Sequence, residues 1–232
     1  GALASVVRAA CSGSKEVGRL ARSSAFGYPD LDGRPASPSR GEVYTSVQRC
    51  EHCGYCAGNI ETPLANPDIL QQDAYRAILN DEKLISTCRN HLCVAFIKQH
   101  DGQYALAAKS ALTAAWVCDN QKQKRNPNAC LKQAIMLLEL AHAQGQRIYT
   151  KSPDHDLAVM ADMLRRSCQF KQGKDFITKA LTETHDVTVI KLLQYQLQLI
   201  VSKDQTCHTA PLRYDTSLKV VLSCPPRNQN IF

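Results

Sequence analysis

Aromatic residues are scarce in this chain, at 6% with a single Trp, and no apolar run reaches the roughly 20 residues that cross a bilayer. The longest candidate, residues 187–201, is interrupted by Lys191 and several Gln. The N-terminal GALASVVRAACSGSK has too short an apolar stretch for a secretory leader. Also missing are a Walker-type loop, a Gly-rich dinucleotide turn, a His-Glu-x-x-His pair and a nucleophile elbow. None of the seven histidines stands in a setting that would activate a Cys or Ser nucleophile. The expectation is a protein without membrane spans and without catalytic machinery.

What is present suits a packed core. Of 232 residues, 44% are hydrophobic and 21% charged, close to the globular norm. A core of Leu, Ile, Val and Ala favours helix on helix, because small and aliphatic side chains let helices approach closely. The net charge is +7, but the basic residues are scattered. Their only short cluster, Lys122 to Arg125, adjoins Asn126-Pro127 in an expected loop. That distribution fits a soluble surface better than a phosphate-binding one, so nucleic acid stands behind a protein or peptide as expected partner.

The chain divides by texture. Residues 1–66 are rich in Gly, Pro, Ser and Arg, and residues 26–41 hold too many breakers for a helix. Glu42 to Arg49 alternates as a strand would and runs into Cys50. From Pro67 to about Lys203 apolar residues recur at helical spacing. Helices are expected near 67–80, 82–99, 103–120, 127–144, 154–171, 174–184 and 187–203. Asn66-Pro67-Asp68 and Ser152-Pro153-Asp154 read as starts, where a capping side chain, Pro and an acid fit the first turn. Asp101-Gly102 and Gln172-Gly173 read as junctions. Residues 204–232 read as an irregular tail, with a short strand at 218–222.

Helical pairs on short turns point to a solenoid of TPR-like hairpins. Phe170, Gly173, Ile177 and Ala180 fall at the aromatic, small, large and small positions of that repeat, and Gln103 to Leu112 looks similar. The expected fold is mainly α, a TPR-like α-solenoid with a small zinc-ribbon-like β/loop segment in front. The alternative is an ordinary antiparallel bundle.

Eleven cysteines form an odd set, which argues against a complete disulfide framework. Cys88, Cys93, Cys118, Cys130 and Cys168 sit in apolar helical patterns and read as reduced core residues of a cytoplasmic protein. The sharpest motif is Cys50-Glu-His-Cys53-Gly54-Tyr55-Cys56. Two thiolates separated by two residues converge on one metal, and the following Gly lets backbone N–H groups face sulfur. Structural zinc needs two further ligands. Cys11 is the natural third, Cys56 or His52 the fourth, and Ser14 stands where a second knuckle's other cysteine would fall. Either zinc is bound there or the knuckle has decayed to a metal-free scaffold. Iron–sulfur and thioredoxin readings are weaker, lacking a fourth Cys with Pro and a βαβ context.

Asp30, Asp32 and Arg34 read as a loop pinned by Asx-turns or an ion pair rather than as an acid/base pair. Trp116, among small residues, reads as a packing anchor. Cys88, His91 and Cys93 cluster on paper, yet only the first two share a helix face.

The segments Ser23 to Pro35, Val47 to Tyr55 and Ala114 to Asp119 resemble an uncharacterised bacterial family of unknown function, whose members join a zinc-ribbon-like N-terminus to TPR-like helices. The resemblance implies metal at Cys50 and Cys53, with Cys11 left from a first knuckle that normally carries two cysteines. It implies fold and not activity. The expected function is a non-catalytic protein-interaction scaffold with a structural zinc knuckle. The alternatives are a nucleic-acid-binding zinc-ribbon protein and a cysteine-based metal or redox sensor.

Overall fold

The computed structural model describes residues 4–7, 14–17, 27–120 and 127–211. Seven α-helices are described: α1 (Asp73–Leu79), α2 (Ser86–His100), α3 (Tyr104–Asn120), α4 (Asn128–Ala143), α5 (His155–Arg166), α6 (Phe170–Glu183) and α7 (Val187–Val201). Two short hairpins precede them. β1 (Ala4–Val7) pairs antiparallel with β2 (Ser14–Val17), and β3 (Gln48–Arg49) with β4 (Cys56–Ala57). No described helix is long and apolar enough to cross a membrane.

Each helix packs on its neighbour in the chain, and α5 also packs on α7. The tightest layer is α2–α3–α4. Ala105, Ala107, Ala108, Ala111, Ala114 and Ala115 are all buried along α3, and methyl-sized side chains let the flanking helices close on it. Asn66 caps the 3-10 turn Pro67–Gln71 by accepting from Asp68 N at 3.2 Å. Asp186 caps α7 by accepting from Thr188 N and Val189 N at 2.8 and 3.1 Å.

Three details differ from the sequence reading. The expected first helix is split, with the 3-10 turn passing into α1 at Gln72, whose backbone is extended. Glu42 to Arg49 is a strand only at Gln48–Arg49, and Ser39–Tyr44 forms a 3-10 turn. There Val43 is buried and its carbonyl meets His91 Nε2 at 2.9 Å, a tertiary tie that overrides a weak local preference. The break between α5 and α6 falls at Ser167–Gln169, where Cys168 adopts φ +63°, and not at Gly173. Gly173 lies inside α6 at a close crossing, where an added Cβ would stand 3.0 Å from Ile200 Cδ1 and 3.4 Å from Leu164 Cβ.

Asp154 does not cap α5 through its side chain; its carboxylate accepts from Thr184 Oγ1 at 2.6 Å. Asp156, fully buried, instead accepts from Ile148 N and Tyr149 N at 2.8 and 3.1 Å. The expected strand at 218–222 lies outside the described residues. The start of the tail pairs with the N-terminal loop: Leu31 N donates to His208 O, and Ala210 N to Pro29 O, each at 2.9 Å.

Candidate metal centre

Residues 50–55 form a tight turn. Cys50 N donates to Tyr55 O and Gly54 N to Cys50 O, both at 2.8 Å, while Cys53 N points at Cys50 Sγ from 3.4 Å. Gly54 takes φ +80°, and a Cβ there would fall 2.5 Å from Leu79 Cδ2, so conformation and space both demand glycine. Cys50 is fully buried and Cys53 half-buried. His52 is exposed, and Cys11 lies outside the described residues.

Cys56 turns toward the helices. Its Sγ lies 3.4 Å from Gly54 O and 3.8 Å from Asn90 Oδ1 of α2. A hydrogen bond with Cys93 is the main cause that pushes the Cys56 thiol well up, with burial second. The same bond favours the thiolate of Cys93 and holds its pKa below the usual value against burial. Tyr75 Oη closes the cluster by donating to Gly54 O at 2.8 Å. Cys50, Cys53 and Cys56 do not bring three ligand atoms within 4.8 Å of one another.

One group of described residues does so: Cys88, Cys118 and Cys130. Each comes from a different helix of the tight layer. Cys88 is the third residue of α2, Cys118 third from the end of α3, and Cys130 the third of α4. Antiparallel packing brings those ends together. Cys88 Sγ lies 3.8 Å from Cys118 Sγ and 3.9 Å from Cys130 Sγ. All three are buried. Metal–thiolate bonds of about 2.3 Å put sulfurs about 3.8 Å apart at tetrahedral angles and about 4.0 Å apart in a planar trigonal site. The sulfurs could therefore hold a metal ion with little movement. As free thiols Cys88 and Cys130 are shifted toward the protonated form. Hydrogen bonds with Cys118 and Cys130 push the Cys88 thiol up most, followed by burial. Cys130 is pushed up to about 12, chiefly by its bond with Cys118. A metal would have to displace those protons.

The paper cluster of Cys88, His91 and Cys93 thus goes three ways: to the sulfur triad, to Val43 O and to Cys56. The triad was missed because its cysteines are 30 and 42 residues apart. The available signal was positional, since three cysteines one turn inside alternating helix ends share one end of an antiparallel layer.

A second polar centre joins the N-terminal loop to the helices. Asp32 Oδ1 accepts from Arg34 N at 3.2 Å, the expected Asx-type turn. Its Oδ2 accepts from Trp116 Nε1 at 2.6 Å and from Arg166 Nη1 at 2.8 Å. Arg166 also bridges Asp119 and stands 3.6 Å from Asp162 Oδ2. The fully buried Arg165 donates to Gln196 Oε1, Asp162 Oδ1 and the carbonyls of Asp204 and Thr206, all within 2.8 Å. Lys109 Nζ lies 4.4 Å from the Trp116 ring centroid and 5.4 Å from that of Tyr149, and burial lowers its pKa. Asp32 is committed to these ties and Asp30 accepts from Arg40 Nη2 at 2.8 Å, the structural role the sequence favoured.

Comparison with protein-family models, with curated proteins and with solved structures returns no match.

Proposed function

We propose that the chain is a non-catalytic, TPR-like helical protein that takes up a thiophilic metal ion at Cys88, Cys118 and Cys130 and acts as a cysteine-based metal sensor. The observation that carries the reading is the convergence of three buried sulfurs from three successive helices. Soft thiolates select soft ions. An ion bonded to all three would tie the ends of α2, α3 and α4 together and so stabilise the layer by mass action. Occupancy would then be read as rigidity of that helical end. The Cys50–Cys53 knuckle, completed by Cys11 and one further ligand, would be a separate structural zinc station.

Cadmium titration of the reduced full chain tests the reading. A thiolate-to-metal absorption band should appear and lose the triad's share in Cys118→Ala, saturating at fewer cadmium ions per chain, while Cys168→Ala, outside the group, retains it. A band unaffected by Cys118→Ala would refute the site.

A second reading, the interaction scaffold, draws on exposed apolar residues of the same layer. Met136 and Leu140 lie one turn apart on α4, and Leu106 is 54% exposed on α3. Such residues suit contact with a protein or peptide partner. Chemical crosslinking in extract should recover a partner lost on Met136→Lys, and unchanged recovery would count against the reading.

A further inference from the structure

The triad offers three donors. No other His, Cys, Asp or Glu atom of the described residues joins the group, whereas a closed zinc site uses four protein ligands. Charge sets a second condition. Cys88 is fully buried, Cys118 and Cys130 are 4% and 3% exposed, and the core around them is built from Ala, Leu, Val and Trp side chains. Arg166 is held by Asp32 and Asp119, and Arg34 stands 4.0 and 3.8 Å from Asp30 and Asp119. Three thiolates around a monovalent ion leave two surplus negative charges in that core, and a divalent ion leaves one. Buried unpaired charge is strongly disfavoured. A trivalent ion leaves none.

Resting on the metal-site reading, we infer that Cys88, Cys118 and Cys130 form a site for a trivalent thiophilic metalloid, arsenic(III) in type, held as a neutral trithiolate. The reaction needs no redox partner. Arsenous acid and three thiols give the trithiolate and three waters. Each As–O bond that breaks is replaced by an As–S bond, and each thiol proton leaves with the departing hydroxide. Arsenic stays trivalent and sulfur is not oxidised. Three pyramidal bonds leave the ion's fourth side to its lone pair, which suits a site with three donors. Pyramidal bond angles, narrower than tetrahedral, would draw the sulfurs only slightly closer than their present 3.8 and 3.9 Å. Entry does not require global unfolding, because each cysteine lies in a terminal helical turn, where local opening is easiest.

Sodium arsenite is the probe, used with the reduced full chain freed of small thiols. One arsenic per chain should survive gel filtration, and X-ray absorption at the arsenic edge should show three sulfur neighbours and no oxygen. Cys88→Ala, Cys118→Ala and Cys130→Ala should each weaken retention at least ten-fold, because a three-legged chelate becomes two-legged. Cys168→Ala should change nothing. Circular dichroism and Trp116 fluorescence identify variants that fail to fold. For these, the wild-type measurement is arsenite protection of the three cysteines from alkylation in mild denaturant, read by peptide mapping. Retained cadmium or copper(I) at these cysteines without retained arsenite overturns the trivalent assignment and leaves the metal reading intact. No retention of any of these ions overturns both. Arsenite retained at Cys50, Cys53, Cys56 or Cys93, with the triad cysteines unprotected, also overturns the assignment.

Discussion

Replacing Asp32 by Ala should destabilise the protein by about 4 kcal/mol. The carboxylate is 2% exposed and accepts from Trp116 Nε1 at 2.6 Å and Arg166 Nη1 at 2.8 Å. Removing one partner of a buried ion pair costs about 3–5 kcal/mol when the other charge is stranded. Arg166 would keep Asp119 and Asp162, so its share falls near the lower limit. The orphaned indole N–H adds about 1 kcal/mol or more. For a chain of this length, each kcal/mol shifts Tm by about 2–4 °C, which gives about 8–16 °C. Trp116 is the sole tryptophan, so its fluorescence reports on the bond under test. Urea unfolding followed by that signal and by circular dichroism measures the loss. Asp32→Asn, which keeps an acceptor for the indole, should lose less. In a double-mutant cycle, Asp32→Asn and Arg166→Met should couple by more than about 1 kcal/mol, as contacting residues do. A Tm for Asp32→Ala within 2 °C of wild type would refute the reasoning.

Gly33→Ala should be far costlier than Gly102→Ala. Both need positive φ, +79° and +69°, but a Cβ at Gly33 would lie 1.9 Å from Tyr149 Oη while Gly102 has open space; equal Tm losses would sink the distinction. Gly173→Ala gains about 1 kcal/mol of helix propensity yet meets Ile200 Cδ1 at 3.0 Å, so the single variant should lose stability and Gly173→Ala/Ile200→Val should recover part of it in the same urea assay. His91 has its pKa lowered by burial, so at acid pH the unfolded chain binds the proton more readily than the folded one. Stability should therefore fall as pH drops below the unfolded value of about 6.5 toward the lower folded value, and His91→Gln should flatten that limb; an unchanged profile would exclude His91 as its source.

Helix number, order and most ends could be read from the sequence, because period and capping are local signals. Asn66 caps where it is expected, and Gly102 does mark a junction. The failures share a cause. Gly173 reads as a junction because glycine is punctuation in isolation, yet here its missing side chain makes room for Ile200, 27 residues on. Val43 reads as a strand residue because its tie to His91 comes from another element. The turn from Cys50 to Cys53 was legible because four consecutive residues determine it. The sulfur triad was not, because it depends on which helix ends meet.

The buried charges follow from what the N-terminal loop has to offer. Between Pro29 and Arg34 only Leu31 supplies an apolar side chain of any size, and it is already spent in a small cluster with Ala158, Leu192, Leu199 and Ala210. A loop with one such anchor cannot dock by area alone, since a single buried Leu contributes about 1.5–3 kcal/mol against the ordering cost of about 1–2 kcal/mol for each residue fixed. Directional bonds must supply the remainder. The adjacent arginines at the end of α5 divide that task, with Arg166 holding the loop through Asp32 and Arg165 holding the tail through the carbonyls of Asp204 and Thr206. The loop and tail then bond to each other through Leu31 and Ala210. Each arm is held by its arginine and by the other arm, the loop also by Trp116 through Asp32, so loss of either arginine should loosen both segments together. Hydrogen exchange at Leu31 N and Ala210 N would read this directly: Arg165→Met should raise exchange at both amides, and an increase confined to one would show that the arms dock independently.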